Sequence, residues 1–427
     1  LNALWQKNIS ANHEIQLQAY TSSYQNDQQW TTCLPKAMLL PQMFNLWRSN
    51  KTYVNTILAG KIPFGGSSQD NALAAAAITA IRALGNQAAA PTCVGANQNL
   101  VESRHDVEFQ DTFVFSDTLR MVNGIGARQD IGNSQTYLGG RVTNNSFRFF
   151  SNVEYKASKW LNMNAGGFLE KDQLTGAAFS PRVAMNFHMT DNHTLRFVVS
   201  KGTRMPDIHE QRANWTYSPS NPSQGIFFQS AKSPGNLSSE HILSKEIGYF
   251  GNLPQYGVLI DAKVFDDRLT GLISEKLQVS DFSPTNNNSV HLRGAELQVN
   301  YSPNDRWMAY LAYAYLHSRD ASTALEQTQY SNHSGALGVT RLFNDGWRVS
   351  LAYYGSNAST AAQTFYGRED ITLSKTSSLG KDSRLTTSFT IRHLDNVTTQ
   401  YFQDFGKTME NRYNNTMQYT FAFKFTY

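Results

Sequence analysis

The end of the chain alternates without interruption. Tyr419, Phe421, Phe423, Phe425 and Tyr427 stand on the odd positions, and Gln418, Thr420, Ala422, Lys424 and Thr426 on the even ones. Side chains along a strand point to opposite faces in turn. One face of this segment is therefore aromatic and the other polar. The same period of two recurs upstream. Phe147, Phe149, Val153 and Tyr155 oppose Arg148, Asn152 and Glu154. Val183, Met185 and Phe187 oppose Arg182, Asn186 and His188, and Leu195, Phe197 and Val199 oppose Arg196, Ser200 and Gly202. Ala295, Leu297, Val299 and Tyr301 oppose Gly294, Glu296, Gln298 and Asn300, and Trp347, Val349, Leu351 and Tyr353 oppose Arg348, Ser350 and Ala352. The polar face carries charges of both signs. A dry core does not tolerate so many ionised groups, so this face meets water or a polar plug. The apolar face is then left for lipid.

Composition agrees with that division. Only 16% of the 427 residues are charged and 12% are aromatic, with a mean hydropathy of −0.44. Apolar residues are dispersed, and no run approaches the roughly 20 needed for a spanning helix. That excludes a helical membrane protein. A net charge of +4 over this length does not form a nucleic-acid-binding surface.

The connections alternate in length. Short polar turns fall at 116–118, 157–159, 190–193, 253–255, 303–305 and 344–346. Longer stretches fall at 27–97, 205–238, 277–287, 319–330 and 395–414. Short turns on one side and long loops on the other are the plan of an outer-membrane barrel, the turns being periplasmic. About seventeen strands of roughly ten residues are expected. Such barrels usually have an even number, so at least one further strand is expected before Leu1. Leu1 already lies in a strand-like segment, and the chain is read as the C-terminal part of a larger protein.

Several motifs resemble the barrel of TonB-dependent outer-membrane receptors. Phe179-Ser-Pro-Arg-Val-Ala-Met-Asn-Phe187 is followed by the turn Thr190-Asp-Asn. The run Thr194-Leu-Arg-Phe-Val-Val-Ser-Lys-Gly-Thr-Arg-Met-Pro206 comes next, then Glu210. Arg293-Gly-Ala-Glu-Leu297 and the terminal strand Tyr419–Tyr427 add to the likeness, which covers essentially the whole chain. Thr203 stands where the family usually has an aromatic residue, and Tyr427 where Phe or Trp is usual. The resemblance implies an all-β, transmembrane antiparallel barrel of about 22 strands with a plug inside it. The plug and the first strands would lie outside this chain, making residues 1–427 a partial barrel domain. It also implies a bacterial outer-membrane receptor, most often for a ferric siderophore, energised through the plug by the TonB–ExbB–ExbD inner-membrane complex. Lipid and lipopolysaccharide would surround it, and it would act as a monomer without a cofactor of its own. The alternative is a passive porin without a plug.

Cys33 and Cys93 are the only cysteines, both in the long stretch 27–97. In an oxidising compartment a disulfide is favoured. It would close a loop of about 60 residues and contribute roughly 3–4 kcal/mol. Two free thiols, or a copper or zinc site, are the other readings. No metal-ligating cluster stands out. Asp70–Gly85 is alanine-rich and ends on glycine, which predicts a short helix over the barrel mouth. Lys36, Arg48, Lys51, Lys61 and Arg82 outnumber Asp27 and Asp70 in this loop. In the stretch 205–238, Arg212 accompanies Trp215, Tyr217, Phe227 and Phe228, with Arg204 just before it. These six are the candidate ligand contacts, since cationic and aromatic groups suit an anionic aromatic chelate. A contact with plug or neighbouring strand is the stronger expectation for Arg204.

Signals for enzyme chemistry fail individually. His209-Glu210 lacks a second His four residues after the first. Gly124-Ile-Gly126 lacks its third glycine and lies in a strand. No Gly-x-Ser-x-Gly elbow occurs. Asp266-Asp267 is a lone acidic pair, read as part of a lumen salt bridge, with calcium binding as the alternative. The chain is expected to bind and transport.

Overall fold

The computed structural model describes residues 1–217, 228–274, 277–278, 281–323, 330–357, 365–380, 382–395, 398–404, 407–412 and 416–427. Seventeen strands form one antiparallel sheet. The first six are β1 Asn2–Ser10, β2 His13–Asn26, β3 Leu100–Ser116, β4 Leu119–Ser134, β5 Gly140–Ser158 and β6 Leu161–Asp172. Next come β7 Gly176–Thr190, β8 His193–Arg204, β9 Glu240–Leu253, β10 Val258–Leu272, β11 Asn288–Asn304 and β12 Trp307–Arg319. The last five are β13 His333–Leu342, β14 Trp347–Ser356, β15 Tyr366–Ser378, β16 Arg384–Asp395 and β17 Met417–Thr426. Each pairs with its neighbour in this order, so the sheet is an unbroken meander. Among the described residues no pairing joins β1 to β17.

Register converts the sequence alternation into two continuous surfaces. Leu17, Phe109, Ile125, Phe149, Leu169 and Phe179 stand directly opposite one another across β2 to β7. All six are exposed, and Ile125 is 59% exposed. A further row runs through Phe197, Ile247 and Val264 on β8 to β10. Tyr419, Phe421, Phe423 and Phe425 continue the apolar surface on β17, likewise exposed. In water such a surface would be unfavourable at roughly 25 cal/mol per Å² of apolar area. Facing hydrocarbon, it is the favoured side of a membrane strand.

The expected asymmetry of connections holds, with two exceptions. Short turns occupy one end, at 11–12, 117–118, 159–160, 191–192, 254–257, 305–306, 343–346 and 379–383. Long connections occupy the other, but 135–139 and 173–175 on that side are brief. The Asp172 carboxylate explains the second, because it accepts the backbone N–H of Thr175 at 2.6 Å and of Gly176 at 3.3 Å.

The longest connection folds on itself. A two-stranded ribbon, Gln29–Pro35 with Pro91–Asn97, places Cys33 directly opposite Cys93, and the two are joined as a disulfide. Above it lie α1 Pro41–Ser49, α2 Lys51–Leu58 and α3 Ser68–Leu84. Met43, Leu46, Tyr53, Val54, Ala74 and Ala77 form their shared core. Only the third helix has a long alanine run and a terminal glycine. The first two are short and are started by Pro41 and by the Asn50 side chain, which accepts the Tyr53 N–H; length and composition alone do not announce them.

Asp70 ties this unit together. With Ser67 it forms a capping box at the start of α3, and it also accepts the Ser49 hydroxyl of α1 at 2.5 Å. The Ser49 hydrogen bond, then that of Ser67, holds the Asp70 carboxyl below the ordinary carboxylate range. A folded-state pKa below the unfolded one means the contribution is complete above the unfolded value, near 3.8. It is lost as pH falls through the folded value. Amide exchange in residues 41–85 is therefore expected to quicken as pH is lowered below about 4, after correction for intrinsic exchange. Asp70→Asn should exchange faster already at neutral pH and lack this acid-dependent change. An identical acid profile in both proteins would refute the assignment.

Candidate functional site

The polar face is a wall of ion pairs. Arg148 on β5 donates to Asp106 at 2.6 and 2.7 Å and to Glu108 at 2.9 Å, both on β3. Gly126 on β4 lies beside it, and a Cβ there would sit 2.6 Å from Arg148 Nε. The glycine is what lets the long side chain cross its neighbour. Arg128 stands 3.0 Å from Asp130 and 3.1 Å from Glu170, and Arg104 stands 2.6 Å from Asp130. Further round, Arg196 meets Glu246 at 2.7 Å and Lys263 meets Glu296 at 2.9 Å. A cavity of about 580 Å³ opens beside this second group, lined in part by Asp261, Gln298 and Tyr354.

A larger cavity, about 670 Å³, lies at the long-connection end of β2 to β4. Arg104, Arg128 and Asp130 form its charged wall, and Tyr137, His209 and Trp215 its aromatic one. Two one-turn helices position the aromatic side. In α4, Gln135–Leu138, the Ser134 hydroxyl accepts the Tyr137 N–H, and Thr136 donates to the Asn97 carbonyl at 2.8 Å. Gly139 ends α4 with φ of +70°, where a Cβ would also lie 2.8 Å from the Asn214 side chain. In α5, Ile208–Arg212, Asp207 and Glu210 form a capping box. The chain then enters a short strand, Asn214–Tyr217, paired with Phe228–Lys232. Trp215 meets Tyr137 edge-to-face at 4.5 Å, and His209 meets Phe282 at 5.2 Å. Such contacts contribute beyond area burial. Paired cations and aromatic rings supply hydrogen bonding and stacking, which is binding chemistry.

The six candidates from the sequence have different places here. Trp215 lines the cavity but is only 7% exposed, packed with Ala213 and Phe282. Arg204 spans three elements. Its terminal nitrogens donate to Glu210 at 2.9 and 3.0 Å, and its Nε donates to Glu240. It thereby fastens the end of β8 to α5 and to β9. Arg212 closes α5 and is exposed. Tyr217 and Phe228 are opposed across the short strand pair, their side chains lying outside the described residues. Phe227 lies wholly outside them. Tyr137 and His209 were not among the candidates. Tyr137 sits in a connection of five residues with no sequence period, and in the sequence His209 stands only as the first residue of an incomplete metalloprotease pattern.

Residues 2–392 match the family model described as TonB dependent receptor-like, beta-barrel. No curated protein matches the chain by sequence. Solved structures resemble it in fold. The siderophore receptor PirA from Pseudomonas aeruginosa superposes with a TM-score of 0.59 at 8% identity, covering 100% of this chain and 68% of that one. The ferric-catecholate import receptor Fiu from E. coli K12 gives 0.59 at 10%, covering 91% and 58%. The copper transporter OprC gives 0.58 at 12%, covering 91% and 57%. The chain thus spans from just over half to two thirds of the length of these receptors.

Proposed function

The chain belongs to the TonB-dependent receptor-like β-barrel family, and on that premise we propose that it forms most of the wall of an outer-membrane receptor for the energy-coupled uptake of a ferric siderophore. The family match running through residues 2–392 carries this reading. In it, the apolar face meets lipid and the ion-paired face lines the lumen. The long connections face the cell exterior, where the disulfide-closed helical unit and the cavity beside Trp215 and Tyr137 receive the ligand. Arg204 braces that region, and Arg212 with Tyr217, Phe227 and Phe228 adds cationic and aromatic groups beside it. Siderophore receptors among the structural neighbours favour an iron chelate.

The same reading assigns a plug and further barrel strands to sequence beyond this chain, in line with the length of the solved receptors. The TonB–ExbB–ExbD complex would act on that plug, and the receptor would work as a monomer among lipid and lipopolysaccharide. It would change no covalent bond.

The test is growth. The complete gene is expressed in a Gram-negative host lacking its own siderophore receptors, under iron limitation, with a panel of ferric siderophores. Growth on at least one of them, abolished when tonB is deleted, is expected. Growth independent of tonB, with open conductance of the purified protein in planar bilayers, would instead establish a passive porin.

A further inference from the structure

A second cluster lies on the opposite face of the sheet from the ion-paired wall. Tyr353, Glu369, His393 and Met417 stand in one row across β14, β15, β16 and β17. Tyr353 and Met417 are exposed on the apolar face, so Glu369 and His393 between them share it. Asp395 is two residues further along β16 and joins them. We propose that Glu369, His393 and Asp395 form a divalent metal site of the zinc class at the long-connection edge of the apolar face.

Geometry supports it first. His393 Nδ1 lies 2.7 Å from Glu369 Oε2 and 3.5 Å from Asp395 Oδ1. One donor atom from each residue falls within 4.8 Å of the other two. Tetrahedral ligands about 2.0–2.1 Å from one zinc ion stand roughly 3.4 Å apart, and the two observed separations bracket that value. Gly367 makes the arrangement possible. It opposes Asp395 in register, and a Cβ there would lie 2.5 Å from Asp395 Oδ2. Without a side chain at 367, the carboxylate has room to lean toward His393. Gly355 and Gly335 continue the same row on β14 and β13, and the rings of Tyr353 and Phe365 lie over Gly355 and Gly367 beside the site.

Charge supports it second. Two carboxylates share this small area. The arginines adjoining these residues on the same strands, Arg368 and Arg392, turn to the polar face and meet Asp370 at 2.6 and 3.3 Å. A bound divalent cation would compensate the outward pair. An imidazole donor beside two carboxylates favours zinc, copper or nickel over magnesium and calcium, which prefer all-oxygen sets. Three protein ligands leave a fourth position for water or another oxygen. The ion so held would be a fixed component of the outer surface, on the other side of the wall from the cavity.

The test uses the complete protein purified from membranes in detergent, stripped with chelator and titrated with zinc chloride. Calorimetry and metal analysis after dialysis read affinity and stoichiometry. One zinc ion per chain is expected, retained in millimolar magnesium. His393→Ala and Glu369→Gln should each weaken binding by at least about tenfold, the low end for disturbing a metal site. Both variants should keep the heat-modifiable migration of a folded barrel. Absence of stoichiometric zinc, displacement by magnesium, or undiminished binding in both variants would overturn the assignment.

Discussion

Ile125→Arg should cost about 2–4 kcal/mol of folding stability in a bilayer, the penalty for a cation near the midplane of a barrel's lipid face. Ile125 is central in the row from Leu17 to Phe179 and is 59% exposed. On a soluble protein the same substitution would fall within about 0.5 kcal/mol, since it removes no buried contact and adds a soluble group. One residue therefore separates the two environments by severalfold in free energy. Urea titration of the complete protein folded into phospholipid vesicles reads the difference, with Ile125→Leu as the neutral comparison. In cells, the arginine variant should accumulate less in the outer membrane. Unchanged stability of Ile125→Arg in vesicles would mean that this row does not face hydrocarbon.

That prediction rests on what the sequence makes legible. A period of two is a local property, so Tyr419–Tyr427 and Phe147–Tyr155 declare their faces without knowledge of their neighbours. Turn lengths then order the strands, because a meander with short turns allows each strand one neighbour on each side. The expected seventeen strands and the observed sheet agree for this reason.

The site is less legible because its parts meet only through tertiary geometry. Glu369 and His393 are register partners across β15 and β16, and nothing in either segment alone signals the other. Trp215 shows the opposite difficulty. An aromatic residue in a long polar connection reads as a surface group, but Tyr137, Ala213 and Phe282 bury it. The three come from three separate connections, whose packing has no sequence period. Arg204 was legible in part. Its place at the end of an alternating strand marks the polar face, but both its partners lie beyond β8, and Glu240 is 36 residues away.

The polar wall makes the second large prediction. Arg148→Met should destabilise the folded protein by about 3 kcal/mol, the low end for removing one partner of a largely buried ion pair. Arg148 keeps 12% side-chain exposure, and Asp106 and Glu108 keep 18% and 25%. Both carboxylates lose their shared cation at once, and they stand on the same strand two residues apart. Most of the cost is their uncompensated charge and not the attraction lost, so neutralising them should recover stability. The triple variant Arg148→Met, Asp106→Asn, Glu108→Gln is expected to regain at least half of it, because the amides carry no charge to desolvate. Urea-dependent loss of the heat-modifiable form of the complete protein measures all three proteins on one scale. A loss below about 0.5 kcal/mol for Arg148→Met would mean that water screens the pair as it does at an exposed surface. The wall would then border open solvent at this level and not a packed plug. A large loss that the triple variant does not relieve would place the importance of Arg148 in its packing against Gly126 and not in its charge.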